Sequence, residues 1–181
     1  MTVFFVTGGA RSGKSRFAQH LATKLGEGKN VIFVATAPAV DDEMVERIER
    51  HRRERPVEWV TVEERLDVVK VLEERRHDVY LIDCLSLLLN NWMYDLKLTE
   101  DVFKDLTHRL ITCLSSTELD VVLVSNELGL GLVPADKLSR QYRDWLGWLN
   151  QAVAKVADSV YLVVSGVAID LKQLPGSAWD F

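Results

Sequence analysis

Five short runs of β-branched and aromatic residues constrain this chain more than any other feature. "TVFFVT", "NVIFVAT", "DVYLIDC", "DVVLVSN" and "SVYLVVSG" are apolar almost throughout. A strand with one wet face alternates apolar and polar residues. Runs without alternation suit parallel strands covered on both faces. Between them lie stretches of helical length and pattern: Lys14 to Leu25, Asp41 to Arg55, Leu66 to Arg75, Glu100 to Leu114 and Asp136 to Val156. A shorter run, "VEWVTVE", reads as one more strand or as an edge. The alternation predicts a doubly wound α/β domain with right-handed crossovers. There is no internal repeat, low-complexity tract or Pro/Gly-rich linker. The 181 residues are therefore expected to form one domain, with an aperiodic tail over 172–181.

Charge narrows the partners. The net charge is −5, which argues against a general nucleic-acid surface. Positive charge is local instead, and a local cluster suggests a local anion. Cys84 and Cys113 form no C-x-x-C pair and lack metal-ligand spacing with histidine, so a reduced, cytoplasmic protein is expected. "MTVFFVTGG" has no basic region before its short apolar run. No apolar run approaches the roughly 20 residues that span a bilayer.

"VTGGARSGKSRFA" places Gly8-x-x-x-x-Gly13-Lys14-Ser15 between the first strand and the first helix. That is the P-loop pattern in its expected context. Gly8 and Gly13 permit backbone conformations that aim successive N–H groups at phosphate oxygens. The helix after Gly13 adds its positive dipole end. Lys14 reaches the β- and γ-phosphates, and the Ser15 hydroxyl is a Mg²⁺ ligand. Asp83 ends the apolar run "DVYLIDC", where a second acid holds Mg²⁺ directly or through water. The fold expected is thus a P-loop NTPase of RecA-like type, with a mostly parallel sheet flanked by helices.

"RIERHRRERPVEW" sets His51 among Arg47, Arg50, Arg52, Arg53 and Arg55. Two readings stand side by side. Acid at the start of a helix and base at its end, before Pro56, is what dipole complementarity and helix stopping produce. Met44, Ile48 and His51 then share one helical face, with His51 bordering the core. The other reading is chemical. A neutral imidazole is a nucleophile toward phosphorus, and adjacent arginines clamp phosphate oxygens.

"TGGARSGKS", "DDEMVERIERHRRERPVEWVTVE", "LIDCLS", "SNELGLGLVP" and "RQYRDWLGWLNQ" occur in that order. Together they resemble the bifunctional adenosylcobinamide kinase / adenosylcobinamide-phosphate guanylyltransferase family of cobalamin biosynthesis, from the first strand to "YLVVSG". The arrangement "H-R-x-x-R-P" followed by "W-x-T-x-E" is more specific than the P-loop. The resemblance implies phosphorylation of adenosylcobinamide with ATP or GTP. GMP then passes from GTP, through a guanylyl-histidine, to adenosylcobinamide-phosphate. It implies ATP, GTP and Mg²⁺ as ligands and a homo-oligomer, commonly a trimer. His51 is the implied GMP acceptor, with Lys14 the second catalytic residue. Nucleotide contacts are implied at Gly8, Gly9, Ala10, Arg11, Ser12, Gly13, Lys14 and Ser15. They are implied also at Ala35, Thr36, Ala37, Arg52, Arg53, Glu54, Glu63 and Asp83.

"SNELGLGLVP" follows a strong strand, where open α/β sheets place ligands. Asn126 and Glu127 are candidate substrate contacts there, and either Glu127 or Asp83 is a candidate general base. Arg140 and Arg143, one turn apart in "RQYRDWLGWLNQ", are further candidates for substrate phosphate. Trp145, Trp148 and Leu149 of the same stretch read as core or subunit interface rather than a stacking box for a base.

Overall fold

The structure, a computed structural model, describes residues 2–38, 42–53 and 55–175. Seven strands form one sheet: β1 (Thr2–Gly8), β2 (Val31–Ala35), β3 (Val60–Glu63), β4 (Val79–Asp83), β5 (Asp120–Asn126), β6 (Ser159–Val164) and β7 (Val167–Asp170). Their order across the sheet is β3-β2-β4-β5-β1-β6-β7. All neighbours are parallel except β6 and β7, which form an antiparallel hairpin. The helices are α1 (Lys14–Leu25), α2 (Asp42–Arg53), α3 (Val68–Glu73), α4 (Leu85–Asp95), α5 (Glu100–Ser116) and α6 (Lys137–Val156).

The non-alternating runs became buried strands because both faces of the sheet are covered. On one face, Ala18 and Ala22 of α1 pack among Val6, Phe33, Leu81, Val122 and Val124. On the other, α3 to α6 contribute Leu72, Leu88, Leu110 and Leu149 to a larger cluster with Phe5, Ile82 and Leu123. Phe103 stacks on Trp145 with ring centroids 5.5 Å apart, which ties α5 to α6. Trp145 and Leu149 are buried in this core, whereas Trp148 is exposed. Among the described residues no helix is long and apolar enough to cross a membrane.

The sequence reading departs from the structure in a few places. Helix α4, "LSLLLNNWMYD", went unpredicted, as did β7. Most of α4 is buried, so it carries no wide polar stripe and lacks an amphipathic signature. Helix α2 ends at Arg53 rather than Arg55. The residue before a proline is pushed out of helical backbone, and Arg55 precedes Pro56. Asp41, Glu54 and the end of the tail from residue 176 lie outside the described residues.

Candidate active site

The parallel topology brings the chemistry-bearing residues to one edge. Gly8, Ala35, Glu63, Asp83 and Asn126 are the carboxyl-terminal residues of five strands. β5 lies between β1 and β4, so the loop after β1 and the acid of β4 face each other across one strand. A crevice at this edge is where open α/β sheets bind ligands.

The loop over Gly8 to Ser15 is held from several sides. A Cβ on Gly8 would sit 2.4 Å from the Val163 carbonyl oxygen, so only glycine lets β1 pass β6 here. Gly13 has φ +95°, a left-handed conformation natural to glycine. Ser12 donates its N–H to Gly9 O at 3.3 Å, and its carbonyl accepts from Gly166 N at 2.8 Å. The turn between β6 and β7 therefore supports the loop from outside. Gly9, Ala10 and Arg11 are exposed. The Ser12 hydroxyl is buried without a hydrogen-bond partner, which leaves a donor in a loop shaped for phosphate. Lys14 Nζ donates to Gly9 O at 3.2 Å.

Asp83 gathers the rest of the site. The Ser15 hydroxyl and the charges of His51, Lys14 and Arg55 all favour its ionised form. Burial nevertheless prevails and pushes the Asp83 carboxyl above the ordinary range for aspartate. A hydroxyl and a carboxylate side by side are hard oxygen donors that suit Mg²⁺ when nucleotide phosphates complete its shell. Among the described residues there is no cluster of three histidine, cysteine or carboxylate side chains for a metal. A nucleotide-dependent Mg²⁺ site needs none. Cys84, next in sequence, is buried and its thiol is pushed up to about 11, which makes it a poor nucleophile at neutral pH.

His51 is half-buried near the end of α2, and its charge is felt at Asp83. The histidine and the phosphate-binding loop, 36 residues apart between Ser15 and His51, thus share one electrostatic neighbourhood. Arg52 and Arg53 are exposed on the same stretch, and Glu63 is exposed at the end of β3. Glu54 falls outside the described residues.

Arg55 belongs to this group, although the sequence reading gave it no individual site role. Its guanidinium carbon lies 3.3 Å from the centroid of the Phe33 ring. Nη1 donates to Thr61 Oγ1 at 3.3 Å, while buried Nε has no partner. Burial lowers its pKa, with the Asp83 charge opposing that shift. The spacing "H-R-R-E-R-P" was the available signal, but its basic residues were equally explained as a helix end.

The remaining candidates are engaged by the protein itself. Thr36 is fully buried, between half-buried Ala35 and Ala37. Asn126 Nδ2 donates to Ser86 Oγ at 3.0 Å. Glu127 Oε1 accepts from Gly129 N at 2.6 Å, and Glu127 N donates to Gly8 O at 3.0 Å. Arg140 Nη1 donates to the carbonyls of Pro134 at 3.0 Å and Ala135 at 2.5 Å, holding the loop before α6. Arg143 pairs with Asp144 at 3.4 Å.

Comparison with known proteins finds relatives over nearly the whole chain. A family model described as cobinamide kinase / cobinamide phosphate guanyltransferase matches residues 4–171. The bifunctional adenosylcobalamin biosynthesis protein CobU of Escherichia coli K12 is 37% identical over 183 aligned positions, covering 94% of this chain and 99% of that protein. The bifunctional adenosylcobalamin biosynthesis protein CobP of Pseudomonas aeruginosa is 42% identical over 174, covering 94% and 97%. Among solved structures, an ATPase from a bacterial type III secretion system superposes with a TM-score of 0.56 at 11% identity. This chain is covered over 93% and spans 56% of that ATPase, a likeness of fold alone. The matches over nearly the whole length place the chain in the cobinamide kinase / cobinamide phosphate guanyltransferase family.

Proposed function

We propose that this chain is a bifunctional enzyme that phosphorylates adenosylcobinamide and then guanylylates the product. One observation carries the reading: Lys14, Ser15, His51 and Arg55 converge electrostatically on Asp83 at the edge that holds the phosphate-binding loop. A kinase alone needs the lysine, the hydroxyl and the acid. It has no need of a histidine at that place.

In the first step, the loop amides and Lys14 hold the triphosphate of ATP or GTP. The aminopropanol hydroxyl of adenosylcobinamide attacks the γ-phosphorus. The bond to the bridging oxygen breaks, the nucleoside diphosphate leaves, and the hydroxyl proton passes to a base. Ser15 and Asp83 are the residues to hold Mg²⁺, which when bound neutralises phosphate charge. Positioning and charge neutralisation supply most of the acceleration in such transfers.

In the second step, a neutral His51 nitrogen attacks the α-phosphorus of GTP. A P–N bond forms, the P–O bond to pyrophosphate breaks, and pyrophosphate departs. A phosphate oxygen of adenosylcobinamide-phosphate then attacks the same phosphorus. The P–N bond breaks, His51 is regenerated, and adenosylcobinamide-GDP is released. Splitting one displacement into two lets a single site activate GTP before the corrinoid arrives. Arg52, Arg53 and Arg55 balance the phosphate charge at this end of the site.

The test is a two-stage assay on the purified protein. Adenosylcobinamide with ATP and Mg²⁺ should yield the phosphate, and added GTP should then release pyrophosphate and form adenosylcobinamide-GDP. Phosphorylation with no pyrophosphate release would reduce the enzyme to a kinase. No corrinoid turnover at all would overturn the reading.

A further inference from the structure

The family resemblance puts Thr36 among the nucleotide contacts, but the structure gives its hydroxyl another partner. Thr36 is fully buried and follows the last residue of β2. The register of β2 with β4 ends where Ala35 pairs with Asp83. Thr36 N donates to Asp83 O at 3.3 Å. Past that point the side chain takes over. Thr36 Oγ1 accepts from Cys84 N at 2.7 Å and donates to Cys84 O at 2.8 Å.

Those two bonds suit a hydroxyl, which has one hydrogen and free lone pairs. Cys84 is extended, with φ −145° and ψ 164°, so its N–H and C=O point the same way. One side-chain oxygen thus supplies the rung that the next backbone unit of β2 would have made. The strand of Thr36 is free to turn away while the chain beyond Asp83 stays paired. The Thr36 carbonyl is tied as well: it accepts from Asn91 Nδ2 of α4 at 2.9 Å, and the same amide nitrogen donates to Arg65 O at 3.0 Å.

We infer that Thr36 is a positioning residue for Asp83. Its hydroxyl fixes the backbone one residue beyond the acid, and so fixes the direction in which the Asp83 carboxylate meets the Ser15 hydroxyl and Lys14. It acts through Asp83 and not by touching nucleotide. The inference rests on the kinase reading above.

Thr36→Val keeps the shape and removes the hydroxyl, and Thr36→Ser keeps the hydroxyl and removes the methyl. Kinase kcat per folded molecule should fall about tenfold to a hundredfold in Thr36→Val, the usual range for removing a partner that orients a metal-site residue. Dissociation constants for ATP, measured by titration, should stay within about threefold of wild type. Thr36→Ser should restore kcat to within about threefold. On an Asp83→Asn background, Thr36→Val should add little, because the two act as a unit. A weaker ATP affinity with unchanged kcat would make Thr36 a nucleotide contact and overturn the inference. Additive losses in the double variant would overturn it too, as would a Thr36→Ser as impaired as Thr36→Val. Should Thr36→Val not fold, Thr36→Ser decides alone: wild-type kcat supports the hydroxyl, and a loss refutes it. The wild-type rate in the same assay tests the kinase reading separately.

Discussion

The phosphate-binding loop and the histidine-bearing helix both act on one carboxylate, Asp83, yet they are built differently. The loop is braced by backbone: Gly8 against Val163, Ser12 O against Gly166 N, and the acid beyond it by Thr36. Gly8 leaves no room for a Cβ and Gly13 takes a left-handed φ of +95°, and the loop's position follows from the sheet. Helix α2 is rich in charge, and the stretch beyond it is held by Arg55, stacked on Phe33 and bonded to Thr61, and by the buried Trp59. The lesson is a division of labour. Phosphoryl transfer needs a fixed cradle, which a buried parallel sheet provides. The covalent carrier proposed above must present a nucleophile to two successive partners, a task that suits a half-buried side chain on a polar helix.

If that contrast is right, the two regions should respond differently to substitution. The largest effect should come from the cradle. Lys14→Ala should lower kinase kcat by about two to four orders of magnitude, the scale of losing a charge contact to a transferring phosphoryl group. The fold should survive, because Lys14 is only half-buried and donates to an exposed carbonyl of its own loop. Near-normal phosphorylation of adenosylcobinamide by this variant would break the assignment.

A smaller and more selective loss is expected at Arg55. Arg55→Lys keeps the charge but loses the planar stack on Phe33 and the fork toward Thr61. GMP transfer should slow about tenfold, with kinase turnover less affected. Equal losses in both steps would show that Arg55 serves the cradle rather than the helix.

The smallest effect is on stability, and its sign is informative. Burial raises the Asp83 pKa above its ordinary 3.8 in the folded protein. Between the unfolded and folded values the native state binds more protons than the unfolded one. Stability therefore falls as pH rises through that window, and the deficit persists at neutral pH. Asp83→Asn, which cannot ionise, should melt higher than wild type at pH 7 without nucleotide. The difference should shrink as pH falls below the ordinary aspartate value. A lower melting temperature for Asp83→Asn at pH 7 would show that Lys14, His51 and Arg55 stabilise the carboxylate more than burial opposes it.

Much of the cradle was legible in the sequence because its signals are local. Gly8, Gly13, Lys14 and Ser15 lie within one short stretch between a strand and a helix, and the apolar runs set the parallel sheet. What escaped depends on contacts distant in sequence. The Thr36 hydroxyl is committed to Cys84, 48 residues away, and nothing in "VATA" announces it. Arg55 looked like a helix end because its partners, Phe33 and Thr61, come from two other elements. Asn126, Glu127 and Arg140 sit at the ligand edge or beside it, but each spends hydrogen bonds on the protein's own loops. Helix α4 was missed for the opposite reason: burial on most sides erased the pattern that marks a helix.

His51 and Arg55 both act on the Asp83 carboxylate, a placement that fits a guanylyl carrier and a charged helix end alike. Whether the imidazole carries GMP is therefore best read directly. The protein is incubated with GTP labelled at the α-phosphate and Mg²⁺, denatured, and digested for peptide mapping. Label should appear on the peptide containing His51, should be lost in acid and kept in base as a phosphoramidate requires, and should vanish in His51→Ala. Unlabelled wild-type protein under conditions that support kinase turnover, or label that persists in His51→Ala, would contradict a guanylyl-histidine at this position.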